Sequence, residues 1–182
     1  MQYLKLTLSS VLQYYSSKTS TTLRETYTSD IYPTRNAILG LISAAFGFSR
    51  DSTDKKTLDK ELHIKYKSLS TPILMEDFQT IRPLKSSSTY VTKSYEKRTR
   101  FRTVDGGYRD SALIKRVQYL QDAKFEVYIG GNEKLLRKIY DAIRDPVYDL
   151  HLGKRSCTPN APIVTDFVLY SENDLFDVYD CA

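Results

Sequence analysis

The chain begins with hydrophobic residues at alternate positions and then changes to longer apolar runs. Leucine occupies every second position from Leu4 to Leu8 and alternates with Tyr3, Lys5 and Thr7, which predicts a half-buried strand over residues 2–8. A nearly continuous apolar run from Ala37 to Phe48, introduced by Pro33, is too short to span a bilayer. It predicts a buried helix that ends near Gly47.

The segments around these two elements have other patterns. Residues 9–32 are rich in Ser, Thr and Tyr without a sustained period, which predicts an ordered surface loop. Residues 49–60 predict a polar connection. Alternation or β-branched and aromatic composition predicts further strands over residues 62–66, 73–81, 89–95, 124–129 and 163–170.

A second helix is predicted over residues 133–143. Its apolar face consists of Leu135, Leu136, Ile139 and Ile143. Pro146 lies just beyond the end of this helix. The resulting order β-α-β-β…β-α-β predicts an α+β, ferredoxin-like fold in one domain, with a basic insertion between its halves. The sequence Asp105–Tyr108 predicts a hairpin tip within that insertion.

Charge is distributed unevenly along the 182 residues. Lys and Arg (27) outnumber Asp and Glu (22). Much of the excess lies between Arg82 and Arg116, a segment with ten Lys and Arg residues and three Asp and Glu residues. The last twenty residues carry five carboxylates and no Lys or Arg. This asymmetry predicts an anionic partner for the basic segment and a protein-facing surface for the acidic end, with solvated faces as the alternative for both.

Several classes of protein are disfavoured by what the sequence lacks. Cys157 and Cys181 form no closely spaced pair, and His63 and His151 lie far apart, so no zinc pattern is present. The N-terminus has no continuous apolar core of the kind that a signal peptide requires. We therefore predict a cytoplasmic protein with reduced thiols, no metal, no cofactor and no membrane contact.

The first turn of the predicted helix carries an unusual charge. Thr34 is a candidate cap, and Arg35 follows it at the helix N-terminus. A cation there opposes the helix dipole unless an anion from outside occupies the same position. Phosphate is the anion that this arrangement predicts.

A second basic motif lies between Gly153 and Cys157. Lys154, Arg155 and Ser156 follow a flexible glycine, and such residues can hold a phosphodiester through side chains and backbone amides. The spacing is not that of an NTPase phosphate loop. An ordinary exposed loop is the alternative.

Polar and aromatic residues after the first strand add to this interpretation. Gln13 is followed by Tyr14 and Tyr15, and RNA recognition favours bases that stack on aromatic rings while polar side chains meet base edges. We assign stacking to Tyr14 or Tyr15.

Catalysis has weaker support in the sequence. A metal-independent ribonuclease needs a general acid and base, and His151 is the histidine with a suitable basic neighbourhood. The alternative is a loop histidine without chemistry. His63 is predicted to be structural, and the pair Asp54/Asp59 to belong to a solvated face.

Three motifs, in this order, resemble the CasD family, the Cas-five subunit of CRISPR Cascade, most strongly its type I-E branch. They are Tyr32-Pro33-Thr34-Arg35-Asn36-Ala37-Ile38-Leu39-Gly40-Leu41, Tyr119-Leu120-Gln121-Asp122-Ala123-Lys124-Phe125 and Leu152-Gly153-Lys154-Arg155-Ser156-Cys157-Thr158-Pro159. Two segments depart from the family pattern. The loop after the first strand lacks Gly, Pro and Trp, and Gln79 stands where histidine is more common.

The resemblance implies a ferredoxin-like (RRM-like) body with an inserted basic β-hairpin thumb at about residues 82–116. It also implies a noncatalytic subunit that binds the 5′ handle of the guide RNA (crRNA) and caps the filament of Cascade backbone subunits. Such a subunit lies next to the large subunit and meets target DNA only through the complex. The implied RNA contacts are Thr34, Arg35, Lys154, Arg155 and Ser156 on the motifs, Gln13 and Tyr14, and the thumb cations Arg100 and Arg102.

Two alternatives remain open at this stage. In the type I-C branch the related subunit cleaves precursor RNA, which would give His151 a catalytic role. A purely protein-binding structural subunit is the other.

Overall fold

Eleven strands and three helices account for most of the described chain. The computed structural model describes residues 1–16, 26–49, 52–81, 101–102, 108–109, 113–160 and 162–181. The strands are β1 (Gln2–Ser9), β2 (Leu12–Gln13), β3 (Thr26–Tyr27), β4 (His63–Ser68), β5 (Ile73–Ile81), β6 (Phe101–Arg102), β7 (Tyr108–Arg109), β8 (Leu113–Gln121), β9 (Lys124–Gly131), β10 (Leu169–Ser171) and β11 (Tyr179–Asp180). The helices are α1 (Arg35–Phe46), α2 (Asp54–Glu61) and α3 (Glu133–Arg144).

The alternating leucines build the centre of a five-stranded antiparallel sheet of order β10-β1-β9-β4-β11. Leu4, Leu6 and Leu8 are fully buried, and they belong to one core together with Ile38 of α1 and Leu136 of α3. Burying each such side chain stabilises the fold by about 1.5–3 kcal/mol. The predicted half-buried strand is therefore confirmed.

A long hairpin lies between the two halves of this sheet along the chain. β5 pairs with β8 from Ile73 opposite Gln121 to Ile81 opposite Leu113, and β8 also pairs with β2 and β3. β6 and β7 form a short antiparallel pair, and the hairpin tip predicted at Asp105–Tyr108 lies outside the described residues except for Tyr108. The predicted strand at residues 89–95 and most of the predicted thumb (82–116) lie outside the described residues.

The ends of the two predicted helices follow their sequence signals. α1 stops at Gly47, whose φ of 75° lies in the left-handed region that glycine tolerates. The N–H of Phe48 donates to the carbonyl of Ser43 there. α3 begins after Asn132, whose side chain accepts from the N–H of Lys134 at 2.9 Å.

Three predictions about local structure were wrong. The connection over residues 49–60 contains most of α2, which has a single buried residue, Leu58, and so carries a weak apolar signal. The segment after β1 is not a surface loop throughout, because Tyr14 and Tyr15 lie in the core. The strand predicted over residues 163–170 is limited to the three residues of β10 (Leu169–Ser171), and Ile163 instead packs in the core, where its carbonyl accepts from the N–H of Thr7 in β1.

None of the helices in the described part of the chain is long and apolar enough to cross a membrane.

Arg35 ties the start of α1 to the end of α2. Its Nε donates to Asp59 Oδ1 at 2.6 Å, and its guanidinium also donates to the carbonyls of Asp59 and, at 2.8 Å, Leu62. Because the C-terminal carbonyls of α2 carry the negative end of a helix dipole, the arginine has its counter-charge within the fold. The prediction that Arg35 needs an outside phosphate is therefore wrong, whereas Asp59 lies on an exposed face as predicted and forms its ion pair with Arg35 there.

We expect Arg35→Met to lower the free energy of unfolding by about 1–3 kcal/mol, because two carbonyls and a carboxylate lose a charged donor. Asp59→Ala should cost less, about 0.2–1 kcal/mol, since the pair is partly exposed and the two carbonyl bonds remain. Urea denaturation of both variants measures the difference. If Arg35→Met unfolds at the wild-type urea concentration, the tether does not stabilise the fold.

Candidate nucleic-acid interface

A groove of about 1140 Å³ lies between α1 and the segment 148–155. One wall is the face of α1 that carries the small residues Ala37, Gly40 and Ala44. A Cβ added at Gly40 would meet no other atom within 4 Å, so the helix surface is open at this point. The middle of this wall is therefore formed by small apolar residues and is open at Gly40.

Polar side chains surround this wall. Thr34 and Asn36 line the groove at the start of α1, Lys55 of α2 and Arg155 add positive charge, and Asp149 adds one carboxylate. This set offers donors to an anion beside an apolar surface. His151 also lines the groove, and its Nδ1 is buried without a hydrogen-bond partner in the described part of the chain.

Backbone contacts hold the segment that carries His151 and Arg155. The N–H of Tyr14 donates to the carbonyl of Leu152 at 3.0 Å, and the N–H of Leu152 donates to the carbonyl of Cys157 at 2.7 Å. Leu152 and Cys157 are both buried. Gly153 has φ near 100°, and a Cβ there would lie 1.7 Å from the carbonyl oxygen of Tyr14. Only glycine fits this contact.

The structure brings some of the predicted site residues together. Thr34, Tyr14 and Arg155 line the same groove, although they lie far apart in sequence. Thr34 occupies the predicted cap position through its carbonyl, which accepts from Ala37 and Ile38, while its side chain makes no capping bond. Ser156 is exposed beside Arg155.

Lys154 is in a different environment from its neighbour Arg155. Its Nζ lies 4.0 Å from the ring centre of Tyr14, 4.9 Å from that of Tyr27 and 5.5 Å from that of Tyr119. Burial, and then the charge of Lys115, lower the pKa of Lys154. Arg35 thus binds α2, Lys154 enters this tyrosine cage and Arg155 lines the groove, while the RNA contacts predicted for the three residues stay predictions.

Gln13 is not available as an RNA contact. Its side chain is fully buried, where its amide nitrogen donates to the carbonyl of Ala123 and its amide oxygen accepts from the hydroxyl of Tyr15 at 2.6 Å. Tyr14 is 7% exposed and holds Lys154 against its ring, and Tyr15 is 1% exposed. The prediction of free stacking platforms at Tyr14 or Tyr15 is therefore wrong for this conformation.

The predicted thumb cations Arg100 and Arg102 lie in or beside the segment outside the described residues. Arg100 lies outside the described residues, and Arg102 is known through its backbone pairing with Tyr108. Sequence reasoning overlooked Lys55 and did not single out Lys115 within the basic segment. The one signal for Lys115 was its alternation with Val117 and Tyr119 along β8, which places the three side chains on one face.

Neither cysteine of the chain forms a disulfide. Cys157 and Cys181 are free and buried, and burial raises the pKa of Cys181 to about 12. No group of three or more His, Cys, Asp and Glu side chains within the described ranges is arranged to hold a metal ion.

Solved structures share this fold. A chain of a structure described as a "CRISPR RNA-guided surveillance complex" matches with a TM-score of 0.69 and 25% identity, over 89% of this chain and 61% of that one. Another, described as "Crystal structure of Cas protein", matches with a TM-score of 0.57 and 21% identity, over 96% of this chain and 65% of that one. This chain thus spans less than two thirds of the length of either.

The family can be assigned from a match along almost the whole chain. Comparison with curated proteins found no match. The family model described as CRISPR-associated protein (Cas_Cas5), however, matches residues 3–180. The family predicted from the three sequence motifs is thereby confirmed, while its type I-E branch stays a prediction. The chain belongs to the Cas_Cas5 family of CRISPR-associated proteins.

Proposed function

We propose that this chain is a noncatalytic RNA-binding subunit of a CRISPR Cascade surveillance complex, and that it holds the 5′ handle of the guide RNA in the groove beside α1. The observation that carries the proposal is the placement of Thr34 and Arg155 in one concave groove with an open apolar wall. Family membership and the likeness to a chain of an RNA-guided surveillance complex support it.

The chemistry of the groove suits single-stranded RNA. Arg155 and Lys55 can contact phosphates, the surface over Gly40 can receive the face of a base, and Asn36 can bond to a base edge.

We further propose that the body is ferredoxin-like (RRM-like) and that the β5–β8 hairpin is the base of a thumb at about residues 82–116. The strand order β10-β1-β9-β4, with α1 after β1 and α3 after β9, supports this topology. RRM sheets commonly stack bases on aromatic rings of their central strands. Here Tyr3 and Tyr128 on the outer sheet face are 2% and 8% exposed, which favours the groove as the RNA site.

The acidic end of the chain supports protein partners. Phe176 and Tyr179 are 71% and 63% exposed and lie close in sequence to the exposed carboxylates of Asp177 and Asp180. Negative charge disfavours RNA there, whereas exposed aromatic side chains are typical of protein interfaces. We propose the backbone subunit and the large subunit of a cytoplasmic, type I-E complex as neighbours, with target DNA met through the complex.

Arg155→Ala should weaken binding of handle-containing RNA about 5- to 30-fold, because about 1–2 kcal/mol of charge-assisted bonding is lost. The slope of log affinity against log salt should become shallower by about 0.7. Fluorescence anisotropy at several salt concentrations measures both quantities.

The control is Lys138→Ala on α3, which removes the same charge from an exposed position that does not line the groove. Equal affinities and slopes for both variants would contradict RNA binding at Arg155. A wild-type chain that binds no RNA would support a subunit with protein partners only.

Gly40→Met should block the groove without damaging the fold. The new side chain enters open space, and methionine is a better helix former than glycine, by about 0.5–1 kcal/mol. We therefore expect an unchanged or higher melting temperature together with at least tenfold weaker RNA binding. Gly40→Ala, with one added methyl group, should have a smaller effect on binding. Wild-type affinity in Gly40→Met would show that RNA does not occupy the groove.

An endoribonuclease is the second candidate function, because His151 lines the groove with an unpartnered Nδ1 among the described residues. A general acid or base must lie within hydrogen-bond reach of the RNA backbone, and a histidine in the wall of the RNA groove is a candidate for that role.

Incubation of the purified chain with precursor repeat RNA, without metal ions, separates the two functions. The noncatalytic proposal expects intact RNA with the wild type and with His151→Ala alike. Cleavage at one position that disappears in His151→Ala would establish the enzyme instead.

A further inference from the structure

Two lysines share the ring of Tyr27. The Nζ of Lys115 lies 4.7 Å from the ring centre, and the Nζ of Lys154 lies 4.9 Å from it. The parallel pairing of β3 with β8 sets Tyr27 opposite Val117 and thus close to Lys115. Lys154 reaches the same ring from the segment 153–157. Two parts of the chain therefore bring like charges to one tyrosine.

Nothing in the described part of the chain neutralises this pair directly. No carboxylate there lies within ion-pair distance of either lysine. The charge of Asp77 raises the pKa of Lys154, but this effect is smaller than those of burial and of Lys115, which lower it. The Asp77 carboxylate accepts a hydrogen bond from the side chain of Gln79. Burial and mutual repulsion both disfavour the charged form of Lys154. An anion in contact with both ammonium groups would offset the repulsion between them and favour the charged form of Lys154.

The lysine pair adjoins the groove and is open to solvent. Tyr14 lines the groove and also carries Lys154 on its ring, while Arg155 follows Lys154 directly in the chain. Tyr27 is 38% exposed, so a ligand can reach the cluster. Arg116 does not belong to it, since Arg116 pairs with Glu76 at 3.6 Å and lies over the ring of Phe78.

We propose that Lys115 and Lys154 bind a backbone phosphate of the same RNA, next to the part that occupies the groove. This inference rests on the proposed RNA-binding function and adds Lys115 to the contact surface. The RNA strand then runs from Arg155 past Tyr14 and Tyr27 to β8. Ammonium groups suit this task because they bind phosphate as point charges without demanding one geometry.

The test compares Lys115→Met and Lys154→Met with Lys138→Met, which removes one exposed charge from α3. Methionine keeps an apolar stem against the tyrosine rings, and thermal unfolding of each variant reports whether the fold persists. We expect each cluster variant to bind single-stranded RNA about tenfold more weakly, which corresponds to about 1.4 kcal/mol. Each salt slope should become shallower by about 0.7, and the control should change neither quantity.

The double variant tests whether the two lysines act together. If they contact one phosphate, the loss in Lys115→Met/Lys154→Met is smaller than the product of the single losses. Binding and salt slopes equal to those of Lys138→Met would overturn the inference.

Arg155→Ala distinguishes this failure from failure of the proposed function. When Arg155→Ala weakens binding and the lysine variants do not, RNA stays in the groove but does not reach the lysine pair. When neither weakens binding, the RNA-binding proposal itself fails.

Discussion

The contact between Gly153 and the carbonyl of Tyr14 is the constraint on which the candidate site depends. A Cβ atom at position 153 would lie 1.7 Å from the carbonyl oxygen of Tyr14. Any side chain there would therefore collide with backbone, which cannot move aside as the end of a flexible side chain can. The positive φ of Gly153 adds a second reason for glycine at this point. Because Tyr14 follows β2, which pairs with β8, the contact fixes the segment 148–155 to the sheet that carries the hairpin. The groove and the tyrosine cage both form around this fixed point.

Lys154 and Arg155, which follow Gly153, therefore contribute to two different parts of the surface. Lys154 turns toward Tyr14, Tyr27 and Tyr119, while Arg155 lines the groove with Thr34. A point-like phosphate site would need both cations on one anion. The observed separation instead suits an extended ligand that crosses the segment, which is the geometry of a nucleic-acid strand in a positively charged channel.

The features that could be predicted from the sequence are those set by near neighbours in the chain. The leucine period of β1, the glycine end of α1 and the apolar face of α3 express local geometry, and the structure has all three. The burial of Gln13 and Tyr14 depends instead on β8 and Ala123, more than one hundred residues later. The counter-charge of Arg35 could not be predicted for the same reason, because its partner Asp59 belongs to α2. That helix has a single buried residue, so its sequence carries no clear helical period of apolar residues. The three motifs nevertheless identified the family, because they are recognised from residue types at fixed positions along the chain and do not depend on which residues touch in the fold.

Arg35 still influences the groove through the fold. Its bonds to Asp59 and Leu62 hold α2 against the start of α1, and α2 contributes Lys55 to the groove while α1 contributes Thr34. Loosening the tether would therefore displace one side of the groove even if Arg35 never meets RNA. Such an indirect loss differs from a direct one in its salt dependence. Removing a phosphate contact makes the salt slope shallower, whereas misplacing an uncharged wall lowers affinity by a similar factor at every salt concentration. Because α2 also carries Lys55, the salt slope distinguishes an arginine that supports the site from one that contacts the ligand when Arg35→Met is compared in a Lys55→Ala background.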